Sequence, residues 1–589
     1  MAHWFSRLLA RTALVVDRRW GWERLPVPLA LLTLIGYRDE LRQHNLFAYE
    51  PQAATPDEFE SEFRDRRTLD GSHNDLFCPA TGMANTQFGR NVPKHLGRPE
   101  TATLFEPNPF TVSRELLTRT SVDDFTPVEH LNLLAAAWIQ FEIHDWFGHD
   151  TSGPRIAVPS PDRDGASIKV TATTPGPISA DGYPTFLNTQ THWWDGAQLY
   201  GTDEHFQRQI RTGHDGKIRI NEDGYIDPKP DPDPKPGATP IFSGDGWWFG
   251  LELMTTIFLR EHNSICDRLR GLHPDWDDSE LFAKARLINT ALIAKIHTTE
   301  WTPAILKHAG FQFGSEANWY GLLGKRLRAV VGRLGSSDLW SGVAGADTED
   351  FGVPYAITEE FVAVYRMHPL IPDIVTFYDV AGTELERADF VSVGGVNTRE
   401  TLKRIGPAQV LFSMGLAHPG DITLHNSPWF MGRMTTASGS TKRIDLNALD
   451  IVRCRERGVP RYNEFRKLLH LKPIEDFSEI SGGNEETEAT LRRIYDNDLS
   501  KVDTVVGMYG EKRPDGFGFS DTAFRIFAVM AARRLESDRF YTKDFTPRIY
   551  TPEGMAWIED NNMCSVLVRH YPELASALAR QGNAFAPWQ

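Results

Sequence analysis

"LNLLAAAWIQFEIHDWFGHD" occupies positions 131–150. The run is apolar, alanine-rich and too long for an ordinary strand, so it predicts a helix, within the candidate Val128–Phe147. Inside it sit Gln140, His144 and Asp145. Gln140 and His144 are four apart and share one helix face, whereas Asp145 is turned about 100° away. An amide and an imidazole on one buried face suit the handling of oxygen or peroxide above a metal centre. The competing reading is a core histidine bonded to a neighbour. Asp145, if buried, requires a cation or a hydrogen-bond donor.

A second stretch, "VYRMHPLIPD" at 364–373, sets a phenol and an imidazole three residues apart and then stops with prolines. If the helix runs through them, Tyr365 and His368 point to one side, about 4.5 Å apart along its axis. The two histidines, one beside an amide and one beside a phenol on separate helices, suggest a haem between them, one ligating iron and the other free. No CxxCH occurs, so covalent attachment through cysteine is not indicated.

Helical periodicity dominates elsewhere. Further candidates are 250–270, 279–307, 357–367, 401–416, 459–469, 488–494 and 520–535. "GKIRINEDGYI" (216–226) predicts a hairpin, and "DPKPDPDPKPG" after it an extended loop, because alternate prolines forbid helix. The expected fold is therefore mainly α-helical with few short strands, a single domain over residues 1–589. Residues 1–50 supply N-terminal helices, serving either as a membrane-surface or substrate-entry element or as plain packing on the body.

The chain has 589 residues, a net charge of −16 and 16 tryptophans. That balance suits a large packed interior and argues against nucleic acid as a partner. Its four cysteines form no CxxC pair, so a reducing, cytoplasmic setting is the simplest expectation, with room for peripheral membrane contact. No apolar run reaches the roughly 18 residues a membrane span needs.

"THWWDG" (191–196) offers oxygen ligands to a hard cation. Thr191, the Trp193 carbonyl and Asp195 alternate along it, and Asp145 would close a calcium site. A local turn bonded by Asp195 explains the same spacing.

Several strings resemble the haem peroxidase–cyclooxygenase superfamily: "WIQFEIHDW", "WWDGAQLYG", "FLREHN", "VYRMHPLIPD" and "RERGVPRYNEFR". Others, including "DGSHNDLF", "KIHTTEWT", "ANWYGLLGK", "EEFVAVYRMH" and "RRLESDRFYTKDF", are similar to the fatty acid α-dioxygenases within it. The likeness runs from about Leu31 to the C-terminal "RHYPEL". It implies haem b, with His368 as proximal iron ligand, His144 as distal histidine beside Gln140, and Tyr365 as the radical-bearing tyrosine. It implies that His297, Thr302 and an arginine bind the substrate carboxylate. Arg534 is the choice among Arg533, Arg534 and Arg539. It implies that Asn463 hydrogen-bonds the proximal histidine. Calcium is implied as well, although Ala197 stands where a hydroxyl is usual. Ile143 replaces the acid that forms a haem ester in mammalian peroxidases, so no ester is expected there.

The activity implied is α-oxygenation: a tyrosyl radical takes hydrogen from C2 of a fatty acid, O2 adds, and a 2-hydroperoxy acid results. The rival is a haem peroxidase that oxidises small phenolic donors. Chain-length preference and oligomeric state are not legible in the sequence.

Overall fold

The computed structural model describes residues 12, 15–17, 19–49, 63–159, 167–226, 228, 246–331, 333, 341–432, 434–435 and 443–588. Most of residues 1–20 and nearly all of the proline-rich loop after Ile226 lie outside them.

Helix α1 (Val27–His44) starts on prolines, whose fixed φ suits a first turn, and ends with Arg42 and His44 at its negative pole. Helix α2 (Leu134–Trp146) is shorter than its apolar run because Asn132 fixes the start. The Asn132 side chain accepts from Leu134 N and donates to the carbonyls of Ala584 and Ala586, which ties the C-terminal tail to this helix. Helices α3 (Phe249–Leu272) and α4 (Asp278–Ile296) pack side by side, and α3 also packs on α2. The Asp277 carboxylate caps α4 by accepting from Glu280 N.

The predicted helix over 279–307 is not uniform. Beyond α4 the backbone widens into a π-helical turn, His297–Trp301, before a last α-turn, Thr302–Ile305. Pro303 has no N–H to continue the ladder, and the Thr298 and Thr299 hydroxyls donate to the carbonyls of Ala294 and Lys295. In an α-helix, residues five apart point roughly 140° apart. The wide turn instead lets His297 and Thr302 line one cavity.

Helix α5 (Ala309–Tyr320) packs on α1, and α1 also contacts the helix Asp521–Glu536. Helix α6 (Glu359–Val364) is N-capped by Thr358 and ends before Tyr365, whose φ of −89° and ψ of 15° leave the helix. Tyr365 and His368 therefore do not share a helix face, contrary to expectation: His368 opens a separate 3-10 turn, His368–Leu370. The expected helix over 401–416 is two helices, Thr398–Ile405 and Pro407–Leu416, hinged at Gly406. Gly406 has a φ of 97°, and the proline that follows cannot extend the first helix.

Helix α7 (Leu446–Glu456) is capped by Asp445, and α8 (Asp521–Glu536) by Ser520. Strands are few: four two-stranded antiparallel pairs among the described residues. The 216–226 segment turns tightly at Asn221–Tyr225, with a single bridge between Ile220 and Ile226. One buried apolar cluster extends from Trp22 to Trp588. No helix among the described residues is long and apolar enough to cross a membrane.

Candidate active site

Two cavities meet at Tyr365. The first, about 400 Å³, is walled by Gln140, Ile143, Trp248, Arg366, His368 and Met431 among others. The second, about 150 Å³, is walled by Leu31, Phe311 and Phe527 and by the polar groups of His297, Thr302 and Arg534. Among the described residues, Tyr365 alone lines both. Its ring is 4% exposed and lies edge-on to Trp146 at 5.3 Å. Its hydroxyl has no hydrogen-bond partner, and burial pushes the phenol well above its ordinary range.

His368 faces the first cavity. Its Nδ1 lies 3.0 Å from Asp450 Oδ2 on α7, and the other Asp450 oxygen lies 3.0 Å from Arg366 Nη1. Burial works to raise the Asp450 carboxyl, but Arg366 and His368 together outweigh it and hold the group below its ordinary range. The expected bond from Asn463 to His368 is not made. Asn463 spends both ends of its amide on Ile474, donating to its carbonyl at 3.0 Å and accepting from its N–H at 2.9 Å.

On α2, Gln140 walls the first cavity with its amide committed: Oε1 accepts from Trp248 Nε1 at 2.5 Å and Nε2 donates to Gly246 O at 3.2 Å. His144, one turn on, is not among the residues walling that cleft. Its ring is exposed and has no protein partner among the described residues, yet it sits deep enough in the body for burial to push its imidazole down to about 4.

The carboxylate-binding candidates converge in the second cavity. His297 is buried, and its Nδ1 accepts from Trp138 Nε1 at 3.1 Å. Burial first, and Arg534 second, push it well below the ordinary histidine range. Arg534 Nε and Nη2 are buried without hydrogen-bond partners. The two alternatives are occupied elsewhere. Arg533 Nη2 donates to Val353 O at 2.5 Å, and Arg539 is bound by Asp544 at 2.5 Å and by the carbonyls of Phe63 and Arg64.

The calcium candidates also come together. Asp145 and Asp195 are both buried. Asp145 Oδ1 accepts from Ala197 N at 2.5 Å, while Oδ2 has no donor. Thr191 Oγ1 donates to Asp195 Oδ1 at 3.0 Å, and Arg286 Nη2 lies 3.2 Å from Asp195 Oδ2. Burial and the neighbouring Asp195 charge push Asp145 well up. Among the described residues no three His, Cys, Asp or Glu side chains gather as metal ligands. The Trp193 indole donates to Gly71 O at 2.9 Å.

Several residues at the site were not anticipated. Glu142 is fully buried, with Oε2 accepting from Trp194 Nε1 at 2.9 Å and Oε1 bare. A charge at the centre of an apolar run was the available signal. Asp450, Trp138 and Trp146 gave none, because their partners lie far off in sequence.

The animal haem peroxidase family profile matches residues 66–585. An α-dioxygenase of Oryza sativa is 37% identical over 97% of this chain and 94% of its own length. Alpha-dioxygenase 2 of Arabidopsis thaliana is 37% identical over 99% of this chain and 94% of its own. The crystal structure of a tyrosine-to-phenylalanine variant of Oryza sativa fatty acid α-dioxygenase, determined with palmitic acid, superposes with a TM-score of 0.91 at 35% identity, over 99% of this chain and 97% of that one. The helical fold, the paired cavities and this end-to-end similarity make the chain a member of the animal haem peroxidase family, on its α-dioxygenase branch.

Proposed function

We propose that the protein oxygenates fatty acids at C2, with Tyr365 as the hydrogen-abstracting group between a haem cleft and a fatty acid pocket. The observation that carries this reading is Tyr365 itself, a buried phenol with no hydrogen-bond partner in the wall common to both cavities. Relatives that share the fold from end to end are α-dioxygenases, and one was crystallised with palmitic acid.

The first cavity fits haem. His368 presents an imidazole to it, with Nδ1 turned to the Asp450 carboxylate at 3.0 Å, so Nε2 is the nitrogen available to iron. Arg366, beside it, offers a cation to acidic substituents. When bound, haem supplies the one-electron oxidant charged by peroxide. His144 stays neutral down to about pH 4 and accepts the peroxide proton. Gln140, fixed by Trp248, shapes the wall of the cleft one turn before His144.

Tyr365 gives up one electron and its phenolic proton to become a phenoxyl radical. In the second cavity, the Arg534 fork pairs with the substrate carboxylate, and His297 and Thr302 donate further hydrogen bonds. Clamping the head group sets C2 against the phenoxyl oxygen, a positioning effect worth several kcal/mol. The radical takes hydrogen from C2 and becomes Tyr365 again. O2 adds to the carbon radical, and the resulting peroxyl takes hydrogen back from Tyr365. The product is the 2-hydroperoxy acid, and the tyrosyl radical is regenerated.

Two buried carboxylates, Asp145 and Asp195, with Arg286 in contact with Asp195 as a counter-charge, favour a cation held by their free oxygens, the Thr191 hydroxyl and the Trp193 carbonyl. The Ala197 N–H occupies the remaining Asp145 oxygen in place of the missing hydroxyl. Peripheral membrane contact has one supporting feature. Helix α1 exposes Val27, Leu29 and Leu32 while its Leu31, Leu34 and Ile35 line the fatty acid pocket.

Haem-loaded protein given palmitate under O2 tests the function. Oxygen uptake with 2-hydroperoxypalmitate by mass spectrometry is expected. Absence of uptake alongside brisk oxidation of a phenolic donor rejects it in favour of a simple peroxidase.

A further inference from the structure

We infer that Trp138 is a positioning residue for the head-group site: its indole N–H fixes the tautomer of His297, so that this histidine meets the fatty acid as a neutral donor through Nε2. This inference rests on the carboxylate-binding role of His297 proposed above.

Trp138 sits inside α2, fully buried, and its Nε1 points at His297 Nδ1 across 3.1 Å. An indole nitrogen donates and never accepts. His297 Nδ1 must therefore present a lone pair, and the ring proton resides on Nε2. Imidazolium is disfavoured for the same reason, because a second N–H at Nδ1 would confront the indole N–H. The ring cannot easily turn away. It stacks on Trp301 at 4.6 Å and is walled edge-on by Trp194 at 5.0 Å and Trp146 at 5.2 Å. Nε2 has no protein partner among the described residues, and His297 lines the pocket beside Arg534 and Thr302. The pocket thus shows the ligand an Nε2–H donor on every molecule rather than a mixture of donor and acceptor tautomers. A carboxylate, which only accepts, matches that surface. Without the indole N–H, the other tautomer would aim a lone pair at the carboxylate.

The test is a double-mutant cycle on the haem-loaded full chain, with palmitate as substrate. Trp138→Phe keeps the ring among Phe141, Phe258 and Phe585 but removes the N–H. It is expected to raise KM roughly tenfold, the scale of losing one hydrogen bond to a charged group, with kcat within about threefold because Tyr365 is untouched. In a His297→Ala background, Trp138→Phe should add nothing, since the residue through which it acts is gone. Independent, multiplying effects, or an unchanged KM in Trp138→Phe, overturn the inference. If Trp138→Phe does not fold, His297→Gln decides. Its carbonyl can accept from Trp138 while its NH2 donates to substrate, so KM should stay within about threefold of wild type, far below that of His297→Phe. A glutamine variant no better than phenylalanine overturns the inference. Wild-type protein that consumes no O2 with palmitate would instead sink the functional reading on which the inference stands.

Discussion

The Arg534 guanidinium carbon lies 3.9 Å from the ring centre of Trp146 and 4.5 Å from that of Trp194, held by two indoles set at 85° to each other instead of by a carboxylate. These cation–π contacts hold the fork while leaving Nε and Nη2 without protein acceptors. Lysine has neither the plane to stack nor the fork to clamp. Arg534→Lys should therefore raise the palmitate KM by roughly ten- to a hundredfold, by the loss of a bidentate charged pair. Arg533→Lys should lower the melting temperature and leave KM within about twofold, because its bonds go to the 350–354 backbone. Steady-state O2 uptake separates the two, and equal KM effects would refute the assignment of Arg534.

Tyr365→Phe removes a hydroxyl that makes no hydrogen bond, so no partner is stranded. Such a change is neutral or stabilising for the fold. The expected variant melts at or above the wild-type temperature, keeps its haem absorbance and binds palmitate, but loses C2 oxygenation by more than about a hundredfold. A phenylalanine protein that still makes the 2-hydroperoxide places the radical elsewhere.

Asp450 and Asn463 make opposite predictions. Asp450→Asn removes an anion from His368 Nδ1 and strands Arg366, so the iron becomes easier to reduce and the Fe(III)/Fe(II) midpoint potential rises. Asn463→Ala loses only the two bonds to Ile474 and should shift the melting temperature without moving the potential. Spectroelectrochemical titration of both variants is the check. A potential that moves with Asn463 and not with Asp450 would reverse the assignment.

These contrasts mark what the sequence could convey. The helical class was legible in the long apolar periodicities of 131–150 and 250–270, because a period near 3.6 needs no knowledge of partners. The ordered strings around His144, Tyr365 and His368 gave the family, and of these residues Tyr365 and His368 line one cleft. Helix ends were less legible. Nothing local marked Tyr365 as the residue where α6 stops, and the wide turn at His297–Trp301 emerges only from the proline and threonine bonding around it. Second partners were hidden altogether. Asp450 is 82 positions from His368, and Trp138 is 159 from His297, so their pairing depends on how distant helices dock. Naming Asn463 as the partner of His368 followed a pattern of the wider superfamily, and the fold sends that amide to the Ile474 loop instead.

Calcium removal tests the paired carboxylates. With a cation bound, chelation should lower the melting temperature, and Asp145→Asn should abolish the chelator's effect. Without the cation, burial favours a protonated Asp145, Asn at that position is tolerated, and EDTA changes nothing. Thermal scans of both proteins with and without EDTA distinguish the two states.

Glu300 gives a pH dependence of known sign. It is 8% exposed, within the π-helical turn, and both carboxylate oxygens accept weakly, at 3.2 Å, from Met563 N. Burial lifts its carboxyl from 4.5 to about 7, against the pull of that N–H and of Lys295. In the unfolded chain the group ionises near 4.5, while in the folded chain it keeps its proton to about 7. The folded state therefore binds more protons across this window, and stability falls as pH rises through it, by on the order of 3 kcal/mol in all. Above about 7 both states are ionised and the loss is complete. Glu300→Gln stays neutral throughout. Its melting temperature should gain on wild type by about 2 °C between pH 5 and pH 8, given the large unfolding entropy of a 589-residue chain. Melting curves at constant ionic strength measure this difference. Curves that stay parallel from pH 5 to 8 would show that Glu300 ionises at its ordinary pH and that its burial is relieved by water or a cation.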